Sequence, residues 1–165
     1  MSIQHDLESA ASESRHYSKK KREEKRAEAE HIGVSGAFID HLVESCYARI
    51  RADEMLGPIF ARHIVDWPPH LARMKAFWRS VLHNSGEFSG NPMQKHLAIP
   101  GLGFEHFKRW LNLFYETLRE AEGHPAATDL VGSRARMIAD SLLTRIAMRR
   151  NGMTAGRAGE GLPHV

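Results

Sequence analysis

The chain has 165 residues, of which 42% are apolar, 26% charged and 8% aromatic. This length and this apolar fraction fit one globular domain and exclude a wholly disordered chain. A single cysteine, Cys46, excludes an internal disulfide framework and a multi-cysteine zinc site, and it suits a reducing compartment. The formal net charge of +3 is too small to indicate nucleic-acid binding by itself. No apolar run has the length of a membrane span or a signal peptide, so we expect a cytoplasmic protein without membrane or nucleic-acid partners.

Residues 1–33 differ from the rest because they contain almost nothing large and apolar. Their basic centre, Lys19-Lys20-Lys21-Arg22, is balanced by an equal number of acidic and basic side chains over the whole segment. Such a segment cannot bury enough surface to offset the entropy of ordering, so we expect a flexible extension or a solvated helix. An arm that docks a partner or an anionic surface remains the alternative. Residues 152–165 are rich in glycine and predict a flexible C-terminal tail, which leaves one domain at 34–151.

The domain sequence predicts helices and no convincing strand. Apolar residues recur with helical spacing over 38–50, where Ser35 is placed to cap the helix, and Gly57-Pro58 interrupts the pattern before a short turn-like piece. A second helix follows Asp66, tolerates two prolines in its first turn and ends near 84–86. After a loop at 86–92, a short helix over 93–99 precedes two long helices separated at 123–125. The prediction is an all-α domain of five or six helices.

Four residues could carry chemistry, although each also has a structural explanation. The sequence contains no phosphate loop, no His-Glu-x-x-His motif, no nucleophile elbow and no dinucleotide fingerprint. His96 lies in the short helix between two prolines, which can hold one imidazole at a set angle, or it is a surface histidine. His70 is the first residue of an apolar helix face, so its side chain points into a pocket or lies at the rim of one. Tyr47 lies on the inward face of the first helix, where a buried hydroxyl needs a hydrogen-bond partner. Trp110 sits in an apolar stripe and could be ordinary core.

The motifs share one explanation when they are taken in order. Over about 34–150 the sequence resembles the group III truncated haemoglobins, through residues 46–47, 55–60, 67–70, 77–78, 90–97 and 107–114. The resemblance implies a truncated globin fold, a two-over-two helical sandwich around haem b. Two features depart from the family pattern: Cys46 stands where an aromatic residue is frequent, and the extension at 1–33 has no counterpart in the family core.

The resemblance also implies a role for each candidate. His96 matches the proximal ligand of the haem iron, His70 the distal histidine, and Tyr47 and Trp110 the polar residues of the distal pocket. Phe60 matches the aromatic residue that packs on the haem. The remaining cofactor-binding residues that we expect on the walls are Met74, Phe77, Trp78 and Phe107. His70 is expected to act as a gate or third donor rather than as a second iron ligand.

Several functions are compatible with these residues. We expect a pentacoordinate iron that binds dioxygen, nitric oxide, carbon monoxide, cyanide or peroxide, in a monomer or weak dimer. Nitric oxide dioxygenase or peroxidase-like turnover would need a reductase that the chain does not encode. The alternatives are an all-α interaction module, or a haem-based sensor that docks a partner through its basic N-terminal arm.

Overall fold

The fold is described here from a computed structural model, which covers residues 2–121, 123–152 and 156–165. These ranges contain helices and no strand. The seven helices are α1 (Ser2–His31), α2 (Gly36–Ala52), α3 (Gly57–His63), α4 (Trp67–His83), α5 (Pro92–Leu97), α6 (Phe104–Glu120) and α7 (Pro125–Asn151). The predicted all-α class is confirmed, and the expected turn-like piece at Ile59-Phe60 is the seven-residue helix α3.

The helix ends follow from local hydrogen bonding. The Ser35 hydroxyl accepts a hydrogen bond from the Phe38 amide at 3.1 Å and so caps α2. Asn91 caps α5 in the same way, through the Gln94 amide at 3.0 Å. Helix α4 ends at Asn84, whose φ of 54° is left-handed and stops the helical repeat. These caps fix the register of the three helices that carry most of the candidate residues.

The core lies between two crossed helix pairs. Helix α2 packs on α4 and α6, α6 packs on α7, and α5 packs on α7. The fully buried side chains come chiefly from α2, α6 and α7 and include Ile39, Leu42, Ile50, Leu111, Phe114, Leu118 and Val131. Together, the helices form the predicted two-over-two sandwich, with the short helix α5 beside it.

Helix α1 precedes the sandwich and contacts α4 near its own C-terminal end. Most of its described side chains are exposed, but Ala29 is buried. The junction with α2 is fixed by the buried His83, whose Nε2 donates to the Val34 carbonyl at 2.6 Å. The basic centre of α1 is solvated and partly paired along the helix, for example Lys21 with Glu24 at 3.2 Å. Whether residues 1–33 are flexible, and whether the domain boundary lies at 34, stay predictions.

Residues 156–165 pack against α6 and α7. The Tyr115 hydroxyl donates to the Pro163 carbonyl at 2.8 Å, and the Gly159 amide donates to the Asp140 carboxylate at 3.0 Å. Arg157 pairs with that same carboxylate, and Leu162 is only 2% exposed. The glycine-rich composition predicted a flexible tail, and whether the segment is flexible stays a prediction. Composition alone does not indicate the hydrogen bonds that this segment makes with α6 and α7.

Within the described ranges, no helix is both long enough and apolar enough to cross a membrane.

Candidate functional site

His96 is held in one orientation by its own helix. Its Nδ1 lies 2.7 Å from the Pro92 carbonyl, one turn earlier in α5. Because a carbonyl only accepts, Nδ1 must carry the proton, and in the neutral ring Nε2 then keeps a free lone pair. The half-buried ring faces Phe107 of α6 at a centroid distance of 6.3 Å. This is the arrangement that a metal-ligating imidazole needs, since the backbone bond sets both the tautomer and the ring angle.

A second group of rings gathers where α2, α3 and the start of α4 meet. Tyr47 contacts Phe60 at 5.9 Å and His70 at 5.4 Å, both edge to face. Trp67 contacts all three, at 6.1 Å from Tyr47, 5.6 Å from His70 and 6.4 Å from Phe60. We call these four residues the distal cluster. It unites three of the predicted site residues and adds Trp67.

His70 is neutral in this environment. Its pKa is lowered to about 4, chiefly by burial and also by the positive charges of Arg73 and Lys95. Its Nε2 is buried and has no hydrogen-bond partner among the described residues. Such an unpartnered nitrogen is costly unless a bound group uses it.

Tyr47 keeps its proton, since burial raises the pKa of its phenol above the ordinary value. The side chain is 8% exposed, so the hydroxyl is a hydrogen-bond donor in a nearly dry place. Burial likewise raises the pKa of the neighbouring Cys46 to about 12, although a hydrogen bond with Thr117 opposes the shift. Cys46 is therefore a protonated packing residue next to the site.

The remaining aromatic candidates form a continuous stack along α4 and α6. Trp110 stacks on Phe114 at 5.2 Å, and Phe114 stacks on Trp78 at 5.1 Å. Phe77 meets Trp78 at 5.7 Å. Trp78 is 3% exposed and belongs to the core, whereas Trp110 and Phe77 are half-buried. The predicted set is therefore split between the distal cluster, the His96–Phe107 pair and this stack.

An ion pair between a buried carboxylate and a half-exposed guanidinium joins the end of α2 to α6. Arg109 donates from Nε to Asp53 at 2.7 Å, and the amides of Met55 and Leu56 donate to the same carboxylate. Burial pushes the pKa of Asp53 up, but the Arg109 hydrogen bond and the two amides outweigh it, so the pKa lies below the usual range. The pair ties the helix that carries Tyr47 to the helix that carries Trp110.

The residues fit a flat apolar cofactor that offers one metal coordination site to an imidazole. Large apolar side chains of α3 to α6 pack against the core yet stay only partly buried, so they could cover the faces of an apolar cofactor. They are Phe60, Trp67, Leu71, Met74, Phe77, Leu97 and Trp110. The oriented imidazole of His96 and the Tyr47 hydroxyl are the polar groups that would suit such a cofactor and its ligand.

Sequence reasoning missed Trp67, Arg51, Arg73 and Lys95. The Arg51 guanidinium lies over the Trp67 ring at 4.4 Å, a cation–π contact between α2 and α4. The spacing of three residues between Trp67 and His70 could have indicated a shared helix face. Nothing in the sequence pairs Arg51 with Trp67, because the contact joins separate helices.

A two-over-two helical sandwich in which an oriented imidazole lies beside half-buried aromatic side chains is the architecture of a small haem globin. The chain is 36% identical over 110 residues to group 3 truncated hemoglobin ctb of Campylobacter jejuni. The aligned region covers 64% of this chain and 86% of that protein. The chain belongs to the group III truncated haemoglobins, as its sequence predicted, and its cofactor is haem.

Solved structures agree with this assignment. The crystal structure of the group III truncated hemoglobin from Campylobacter jejuni matches with a TM-score of 0.64 and 32% identity, covering 68% of this chain and 91% of that one. The 2/2 hemoglobin from Synechococcus sp. PCC 7002, in the cyanomet state with covalently attached heme, matches at a TM-score of 0.60. At 22% identity over 71% of this chain and 94% of that one, it supports the fold alone. No family model matches the chain.

Proposed function

We propose that His96 is the proximal ligand of haem b and that the distal cluster receives a small diatomic ligand on the other side. The observation that carries this proposal is the 2.7 Å bond from His96 Nδ1 to the Pro92 carbonyl, which leaves Nε2 free and oriented. His70 shares the distal cluster with Tyr47, and its Nε2 has no partner among the described residues, so we assign it to the ligand side rather than to the iron. We therefore propose a pentacoordinate iron.

Bound haem would supply an iron atom that can bind dioxygen, nitric oxide, carbon monoxide, cyanide or peroxide. The chain's own apolar residues would exclude water from the bound ligand. Phe60, Met74 and Phe77 are the half-buried walls contributed by α3 and α4, and Phe107 backs the His96 ring. Trp78 supports the wall from the core.

Tyr47 and Trp110 are proposed to donate hydrogen bonds to the ligand. The Tyr47 hydroxyl keeps its proton because burial raises its pKa, and the Trp110 indole nitrogen can only donate. A ligand that gains partial negative charge on binding is held by such donors, each contributing about 1.5–3 kcal/mol in a dry site. His70 is proposed as a gate or third donor.

Arg73 and Lys95 are proposed to bind the two carboxylates of the haem. Both lie near His70, and neither has an acidic ion-pair partner in the described part of the chain. An arginine on α4 and a lysine on α5 without acidic partners suit an amphiphilic cofactor with anionic ends.

We also propose that the protein catalyses a reaction of its bound ligand. Donors that stabilise negative charge on dioxygen or peroxide favour redox chemistry over storage, so we propose nitric oxide dioxygenase or peroxidase-like activity with a separate reductase. We further propose that the protein works in the cytoplasm as a monomer or weak dimer. Stopped-flow mixing of the oxygenated protein with nitric oxide, followed by nitrate assay, tests the first activity.

The test of the proximal ligand uses His96→Gly with and without free imidazole. We expect the intense violet absorption band of the haem protein to be lost or sharply weakened in the variant, and to return when imidazole is added, because imidazole restores the missing nitrogen. His63→Ala, at an exposed position of α3, is the matched control and should retain the wild-type spectrum. A wild-type spectrum for His96→Gly without imidazole would remove His96 as the ligand.

A further inference from the structure

The first turn of α4 is rigid and presents two rings on one face. Trp67 begins the helix, and Pro68 and Pro69 follow, so the ring of each proline fixes a backbone angle within the turn. His70 comes three residues after Trp67, which places both side chains on the same side of the helix. Because the two prolines restrict the backbone of this turn, we expect a movement of His70 to come from rotation of its side chain.

Trp67 is the shared neighbour that opposes such a rotation. Its ring meets the His70 ring at 5.6 Å and 90° and the Tyr47 ring at 6.1 Å, while Tyr47 and His70 meet each other at 5.4 Å. The three rings are thus mutually in contact, and His70 leaves two edge-to-face contacts when it swings away. Each such contact shifts an equilibrium by about two- to tenfold.

Arg51 holds Trp67 to α2. Its guanidinium lies 4.4 Å from the centre of the Trp67 ring, and Arg51 has no acidic ion-pair partner in the described ranges. Phe60 lies nearly parallel to the same ring, at 26°. The indole is therefore fixed by α2 and α3 as well as by its own helix, and an exposed cation–π contact shifts an equilibrium by about two- to fivefold.

We infer that Trp67, held by Arg51, is a positioning residue that keeps His70 folded against Tyr47 and thereby sets how fast a small ligand enters the site. The effect on ligand entry rests on the proposed function. The effect on His70 itself does not, because it concerns only contacts within the chain.

The test measures the access of His70 directly. Diethyl pyrocarbonate acylates accessible neutral imidazoles, and mass spectrometry of the full-length protein near neutral pH gives the rate for each histidine. Exposed His63 and buried His83 are internal references. We expect His70 to react about three- to tenfold faster in Trp67→Leu and about two- to fivefold faster in Arg51→Ala. Arg51→Lys, which keeps a cation, should stay near wild type, and so should Arg62→Ala, an exposed arginine on α3.

Carbon monoxide association after flash photolysis gives the second measurement. In haem-loaded protein, Trp67→Leu should speed association by a factor similar to the gain in His70 labelling, and Trp67→Phe should lie between that variant and wild type. Unchanged labelling of His70 in both Trp67→Leu and Arg51→Ala would overturn the inference. Faster labelling of His83 together with His70 would also overturn it, because that pattern means general loosening. A missing haem band with altered labelling would reject the proposed function and leave the positioning role standing.

Discussion

Replacing Tyr47 with phenylalanine removes one hydroxyl and almost nothing else. The three ring contacts of Tyr47, with Phe60, Trp67 and His70, are edge-to-face contacts that a phenyl ring can keep. The side chain is 8% exposed, so the lost hydrogen bond is not replaced by bulk water. A hydrogen bond to a partly charged acceptor contributes about 1.5–3 kcal/mol, which corresponds to about a ten- to hundredfold faster dissociation of dioxygen.

Stopped-flow displacement of dioxygen by carbon monoxide measures this rate in the ferrous protein. Carbon monoxide accepts hydrogen bonds poorly, so its own dissociation should change by less than about threefold. Because burial raises the Tyr47 pKa, the wild-type rate for dioxygen should stay flat from neutral pH up to about pH 9. Tyr17→Phe on the exposed face of α1 is the matched control. Equal dioxygen rates in Tyr47→Phe and wild type, with intact spectra, would refute the donor role of Tyr47.

The same assay applies to Trp110→Phe, which should also speed dioxygen dissociation, by a smaller factor because Trp110 is half-buried. Arg109→Met should lower the free energy of unfolding by about 1–2 kcal/mol at neutral pH, because the Asp53 side chain, 4% exposed, loses its cation, while water already screens the 43% exposed Arg109 and two amides still bind the carboxylate. Since the folded pKa of Asp53 is depressed, this loss should be present above about pH 4 and fade as the pH falls further; a loss that persists at about pH 2 in urea unfolding would contradict it. Gly159→Ala should cost about 1–3 kcal/mol in thermal unfolding, because its Cβ would lie 2.6 Å from the Asp140 Cα, whereas Gly161→Ala makes only ordinary contacts and should be near neutral.

The sequence predicted the helical framework well because the signals are local. Ser35 caps α2 as expected, the prolines open α4, and Asn84 lies within the predicted end of that helix. The resemblance to the group III truncated haemoglobins is confirmed by a relative of 36% identity. The placement of His96 on a short helix followed from its flanking prolines, and the structure adds the carbonyl that orients it.

The rest depends on contacts between residues far apart in the chain. Arg51 reaches Trp67 across two helices, and Arg109 reaches Asp53 from α6, so neither pair has a signature in the spacing. The C-terminal segment shows the same difficulty, since its composition is that of a loop while its amide at Gly159 binds a carboxylate on α7. Pairings of this kind follow from the tertiary arrangement and become visible only in three dimensions.

The placement of the three tryptophans makes the protein its own optical reporter. Trp67 belongs to the distal cluster, while Trp78 and Trp110 both stack on Phe114. All three tryptophans therefore lie close to the proposed haem site, and a bound porphyrin would quench their fluorescence by energy transfer. Cofactor uptake and release can thus be followed by fluorescence on the unlabelled chain, with no dye attached.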